Sequence, residues 1–97
     1  MSEPTREEVE AFTRPTVLEF GARWCGHCQA AQADIAAVLK NHPDVDHLRI
    51  EDGKGRPLGR SFRVKLWPTL IYLEQGVEKG RVVRPADAAQ IEAIFGA

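Results

Sequence analysis

An α/β fold, one mixed sheet with helices on both faces, follows from three features of this 97-residue chain. Short apolar or β-branched runs alternate with stretches of helical period. A long helical stretch separates the first two strand-like runs, as a parallel crossover requires. The last two strand-like runs are joined through Glu74-Gln75-Gly76, a connection short enough to make them an antiparallel hairpin.

Taken in order, Thr5 and Glu8 stand at capping-box spacing, and Val9 and Phe12 share one face of a short helix that stops before Arg14-Pro15. Thr16 to Phe20 is apolar except at Thr16 and Glu19 and reads as a buried strand. After Gly21 and Ala22, residues Cys28, Ala31, Ile35, Val38 and Leu39 fall at helical steps. They predict a helix from about Cys25 to Asn41, ended by His42-Pro43. A strand from Val45 to about Glu51 follows, then a turn region rich in Gly and Pro and a short helix near Leu58 to Phe62. Leu70 to Leu73 and Val77 to Val83 form the hairpin. Asp87 is the N-cap of a final helix, with Gln90 three residues on and Ala88, Ile91 and Ile94 on one face. The order is α-β-α-β-α-β-β-α. Repeats, low-complexity tracts and linkers are absent from the sequence, so residues 1–97 are expected to form one domain.

Hydrophobic residues make up 43% of the chain and charged residues 28%, with a formal net charge of -1. That balance suits an ordinary globular protein and points to neither a nucleic-acid nor a membrane partner. The N-terminus lacks the basic start and apolar stretch of a secretory signal, and no apolar run approaches membrane-spanning length. If Met1 is the native start, a cytoplasmic location is expected. Both cysteines fall inside one four-residue window, where a disulfide closes almost no loop and adds little stability. A chemical role is favoured over a structural one.

The pair lies in Trp24-Cys25-Gly26-His27-Cys28, between the first strand and the long helix. Cys25 then sits at the helix N-terminus, where free N–H groups and the macrodipole favour its reactive thiolate. Cys28, one turn on, belongs to the apolar stripe and is the buried partner. The alternatives are two core cysteines or half of a zinc site. A closed zinc site needs about two further ligands, and His42 and His47 lie far downstream without paired spacing.

Phe20, Ala22, Trp24-Cys25-Gly26-His27-Cys28, Trp67-Pro68-Thr69-Leu70 and Gly76 together resemble the thioredoxin family over about Thr16 to Phe95. Cys-Gly-His-Cys resembles the active sites of protein disulfide isomerases, where thioredoxins usually carry Pro in place of His27. The resemblance implies a thioredoxin fold and a protein disulfide oxidoreductase working in cell redox homeostasis. Cys25 attacks, Cys28 resolves, and Glu19 matches the family's buried acid. Trp24, Gly26 and His27 tune the site, and Trp67, Pro68, Thr69 and Arg84 meet the substrate. Pro68 matches a cis-proline, which would leave the Trp67 backbone free to pair with an extended substrate strand. No bound cofactor or metal is needed. The resemblance further implies protein disulfide substrates, a flavoprotein disulfide reductase as electron donor and a monomer.

The chain also departs from the family. Its first strand is missing, leaving four; Ala33 replaces the proline that kinks the long helix; Leu66 with Trp67, and Arg84, replace glycines near the substrate rim. Burial of Glu19 should raise its pKa, suit it to relay a proton to or from Cys28, and make Glu19→Gln stabilising. The alternative is an edge-of-sheet Glu19 reaching solvent. His47 aligns roughly with the family lysine near that acid and could pair with it, or lie exposed on its strand. His27 can offer an N–H or a positive charge to the Cys25 thiolate, which makes the protein more oxidising than a counterpart with proline there. Two rivals stand beside the exchange reading: a binding module with idle cysteines, and a zinc-binding regulator.

Overall fold

The computed structural model describes residues 3–96. Its elements are α1 (Arg6–Glu10), β1 (Thr16–Gly21), α2 (Gly26–Lys40), β2 (Asp46–Glu51), α3 (Pro57–Ser61), β3 (Thr69–Glu74), β4 (Val77–Val83) and α4 (Ala88–Glu92). The order matches the sequence expectation. The strands form one sheet, β2-β1-β3-β4, in which β1 pairs parallel with β2 and antiparallel with β3, and β3 pairs antiparallel with β4. Residues 3–15 hold α1 and no strand, so the sheet has four strands.

Alternation along the strands divides the core in two. Leu18 and Phe20 of β1 and Ile71 and Leu73 of β3 pack with Val9, Leu58 and Phe62, on the face that α1 and α3 cover. Val17, Leu70 and Tyr72 pack with Ile35, Val38, Ile91 and Ile94, on the face of α2 and α4. Glu19 shares this second face by register and is therefore carried under α2. The parallel pairing brings Arg49 opposite Glu19 and His47 opposite Val17, on the same face.

Local signals explain the element ends. Thr5 Oγ1 accepts from the Glu8 N–H at 3.1 Å, and Glu8 Oε1 accepts from the Thr5 N–H at 2.8 Å, the reciprocal capping box read from sequence. Asp87 caps α4 by accepting from the Gln90 N–H at 3.0 Å. Gln75 (φ 50°) and Gly76 (φ 76°) form the two-residue hairpin turn, and a Cβ on Gly76 would run into the Glu10 backbone carbonyl. With Ala33 where the family has proline, α2 runs unbroken for 15 residues. No helix among the described residues is long and apolar enough to cross a membrane.

Candidate active site

The junction between β1 and α2 places the cysteines. Cys25 is the N-cap of α2, in extended conformation, and its Sγ accepts from the Cys28 backbone N–H at 3.2 Å. A thiolate at that position receives a charge-assisted hydrogen bond at the positive end of a 15-residue helix. Both thiols are free. Exposure does not separate them, since each cysteine is 6% exposed, contrary to the expectation that Cys28 alone is buried. Direction separates them instead. Cys25 opens into a recess with Trp24, His27, Leu66, Trp67 and Arg84. Cys28 faces the other way, into a cavity of about 420 Å³ lined by Glu19, Gln29, Gln32, Arg49 and Glu51. Burial, the contact with Cys25 and the nearby Glu19 charge push the Cys28 thiol up to about 11. Gly21 makes room for it: a Cβ there would lie 2.7 Å from Cys28 Sγ.

Glu19 is buried and paired. Its Oε1 lies 2.7 Å from His47 Nε2 and 3.6 Å from Arg49 Nε, and its Oε2 accepts from Gln32 Nε2 at 2.8 Å. The same Gln32 amide donates to the Cys28 carbonyl at 2.9 Å, and Arg49 donates to Gln32 Oε1. These contacts correct the sequence reading of Glu19. Burial does raise its pKa, but the hydrogen bonds from His47 and Gln32, helped by the His47 and Arg49 charges, outweigh burial and hold the carboxyl below its ordinary value. Glu19 is an ionised, anchored group rather than an orphaned acid.

At the rim, Trp24 is 75% exposed and meets Trp67 edge-on, with ring centroids 5.3 Å apart. The Trp67 indole N–H donates to Asp52 Oδ2 at 2.9 Å. The Trp67–Pro68 bond is cis. The Trp67 carbonyl is not free as expected: it accepts from Arg84 Nε at 2.9 Å and lies 4.0 Å from Cys25 Sγ. The Cys25 thiol donates to the same carbonyl, so of its two lone pairs the one not held by Arg84 opens to a docking strand when Cys25 is a thiolate. Arg84 reaches it from a left-handed conformation (φ 48°), at the position where the family has glycine. Thr69 also departs from the expected substrate contact, because it is buried and its hydroxyl donates to the Leu66 carbonyl at 2.6 Å, bracing the turn. Gly26 and His27 are exposed in the first turn of α2. Among the described residues, the His27 ring makes no hydrogen bond to the Cys25 sulfur.

Gln32, Arg49, Gly21 and Asp52 were not singled out from sequence. Gln32 was accessible to helical spacing, being four residues after Cys28. Arg49 needed the β1–β2 register. The histidines a zinc site would use are committed elsewhere, His47 to Glu19 and His42 to Glu92 and the Phe95 ring. Among the described residues, no group of three or more His, Cys, Asp or Glu could hold a metal ion.

A pair of free cysteines at a helix N-terminus, beside a cis-proline turn and above a buried acid, is an arrangement suited to thiol–disulfide exchange, and comparison with known proteins gives the family. The thioredoxin family model matches residues 2–96, and the chain belongs to the thioredoxin family. It is similar to thioredoxin 2 from Pseudomonas aeruginosa PAO1 in its reduced form, at 54% identity over 96% of this chain and 86% of that one, with a TM-score of 0.85. It is 31% identical to a thioredoxin of Echinococcus granulosus over 80% of this chain and 73% of that protein. Against thioredoxin H2 of Arabidopsis thaliana the identity is 26% over 78% of this chain. The chain spans 57% of that last relative's length.

The two thiols should differ in reactivity although they are equally buried. At about pH 6, iodoacetamide is expected to label Cys25 alone in the reduced protein, because the Cys28 thiol stays protonated far above that pH. Peptide mass spectrometry reads the result, and equal labelling of both cysteines would contradict the assignment.

Proposed function

We propose that this chain carries out reversible dithiol–disulfide exchange with protein disulfides. The observation that carries the reading is the opposed setting of the two sulfurs. Cys25 Sγ caps the helix and accepts the Cys28 N–H at 3.2 Å, while the Cys28 thiol is desolvated and pushed up to about 11. The Cys25 thiolate attacks one sulfur of a substrate disulfide, forming a mixed disulfide and releasing the other sulfur as a thiolate. Cys28 then loses its proton and attacks Cys25 Sγ, releasing the second substrate thiol. Two electrons pass to the substrate, and the protein is left with a Cys25–Cys28 disulfide.

Glu19 supports the second step in this scheme. Held ionised across the cavity from Cys28, it can only accept a proton during resolution, by way of the solvent the cavity admits. Trp24 and the Trp67 carbonyl form the surface on which an extended substrate segment would lie. Regeneration needs a dithiol donor, and we assign that role to a flavoprotein disulfide reductase on the strength of the family resemblance. Insulin is a suitable probe. With excess dithiothreitol as donor, catalytic amounts of the protein should precipitate the insulin B chain well ahead of dithiothreitol alone. A rate equal to that control contradicts the proposal.

A further inference from the structure

Lys65 stands where two recesses meet. On one side it lines the recess around Cys25, with Trp24, Trp67 and Arg84. On the other it lines a recess of about 510 Å³ walled by Arg56, Arg60 and Arg63. The cationic side chains thus form one continuous strip from the sulfur to the far end of α3. Five of the chain's 13 Lys and Arg residues gather on it, although the formal net charge is -1.

The charge on this strip is largely uncompensated. Among the described residues no carboxylate lines either recess. Asp52, next to Gly53 of the outer recess, is turned inward: it accepts from the Trp67 indole and packs where a Cβ on Gly59 would stand. Of the five cations, Arg56 alone has an ion pair among the described residues, with Glu3 at 3.7 Å. The fold keeps the strip outward, because Leu58 and Phe62 take the buried positions of this segment and leave Arg60 and Arg63 exposed. Like charges crowded around a concave surface raise the local potential and draw in an anionic partner.

We infer that the strip docks an acidic segment of the protein whose disulfide Cys25 attacks, with the carboxylates beside the substrate cysteine lying toward Lys65, Arg60 and Arg63. A protein is favoured over a nucleic acid because the strip runs into the recess that holds the reactive sulfur. One occupant engages both ends only if it carries a disulfide and carboxylates together. The inference rests on the exchange reading, and the test separates the two.

Two disulfide-linked peptides serve as substrates, one with Asp and Glu flanking its cysteine and one with Asn and Gln in their place. At low ionic strength kcat/KM for the acidic peptide should exceed that for the neutral one by about tenfold. The ratio should fall toward one in 1 M salt, where screening acts within about 3 Å. Arg60→Glu with Arg63→Glu should abolish the preference and leave the neutral peptide's rate unchanged, whereas Arg60→Lys with Arg63→Lys should keep it. Equal rates for the two peptides, or a preference that survives charge reversal, overturns the inference. If neither peptide is reduced, the exchange reading fails, and binding of a fluorescent, cysteine-free acidic peptide decides the strip alone. Binding lost on charge reversal supports the inference, and absence of binding overturns it. Single-stranded RNA of equal charge binding more tightly than that peptide would also overturn it.

Discussion

Cys28→Ser should bring multiple-turnover insulin reduction down to the dithiothreitol control and, where no dithiothreitol is present, leave the protein covalently bound to its substrates through Cys25. The substitution removes the resolving sulfur without removing what activates the attacking one. Cys25 Sγ accepts from the backbone N–H of residue 28, which serine retains, and the α2 N-terminus is unchanged. The first exchange therefore proceeds and the second cannot. In a cell extract, adducts that dissolve on addition of dithiothreitol should accumulate with Cys28→Ser and be absent with Cys25→Ser. Direction reinforces the asymmetry: the recess beside Trp24 and Trp67 contains Cys25, and Cys28 looks into the cavity above Glu19. Adducts forming through residue 28 would invert the roles. Adducts forming through neither would favour a binding module with idle cysteines.

Glu19→Gln should lower both stability and the exchange rate. In the folded protein the carboxylate is buried between His47, Gln32 and Arg49 and held below its ordinary pKa. A depressed folded-state pKa contributes stability that is present above the unfolded value, about 4.3, and lost as pH falls through the folded one. At neutral pH the substitution forfeits charge-assisted hydrogen bonds. Arg49, which is two-thirds exposed, can turn to water, so the loss should be about 1–2 kcal/mol. For a domain of this size that is a Tm lower by roughly 4–16 °C. The deficit against the unaltered protein should shrink as pH falls below the unfolded value and through the lower folded one. Exchange near neutral pH should slow by about tenfold, less than the 10²–10⁴ typical of a positioned base, because a carboxylate with depressed pKa is a weak one. Thermal unfolding across pH and stopped-flow reduction give the two readings. An unchanged Tm would mean that the paired carboxylate adds nothing, and an unchanged rate that the proton leaves Cys28 by another route.

The contrast at Glu19 shows what sequence could and could not convey. That the acid sits inside was legible, because the strand around it is apolar and alternation puts it on a covered face. The direction of its pKa was not, since two of the three groups that decide it, His47 and Arg49, arrive from β2 through a register no local pattern specifies. The element order, the Thr5–Glu8 and Asp87–Gln90 caps and the parallel crossover were readable, each resting on short-range spacing. At the rim, the family resemblance misled in two places. Thr69 turned inward to brace the Leu66 carbonyl, and Arg84, standing where the family has glycine, closed over the Trp67 carbonyl. The first is a contact within the turn before β3, and the second depends on how that turn meets the end of β4.

His27 bears on the redox poise rather than on the roles of the cysteines. It is exposed and makes no hydrogen bond to the Cys25 sulfur among the described residues, so His27→Pro should make the potential more negative by no more than about 30 mV, one factor of ten in a two-electron equilibrium. The direct test of reversible exchange is redox equilibration of the unaltered protein with glutathione, followed by alkylation and mass spectrometry of the Cys25–Cys28 peptide. A single two-electron transition is predicted between about -270 mV, the value for thioredoxin, and about -180 mV, that for protein disulfide isomerase. Cysteines that stay reduced across the glutathione range, or that oxidise without joining to each other, would contradict the account.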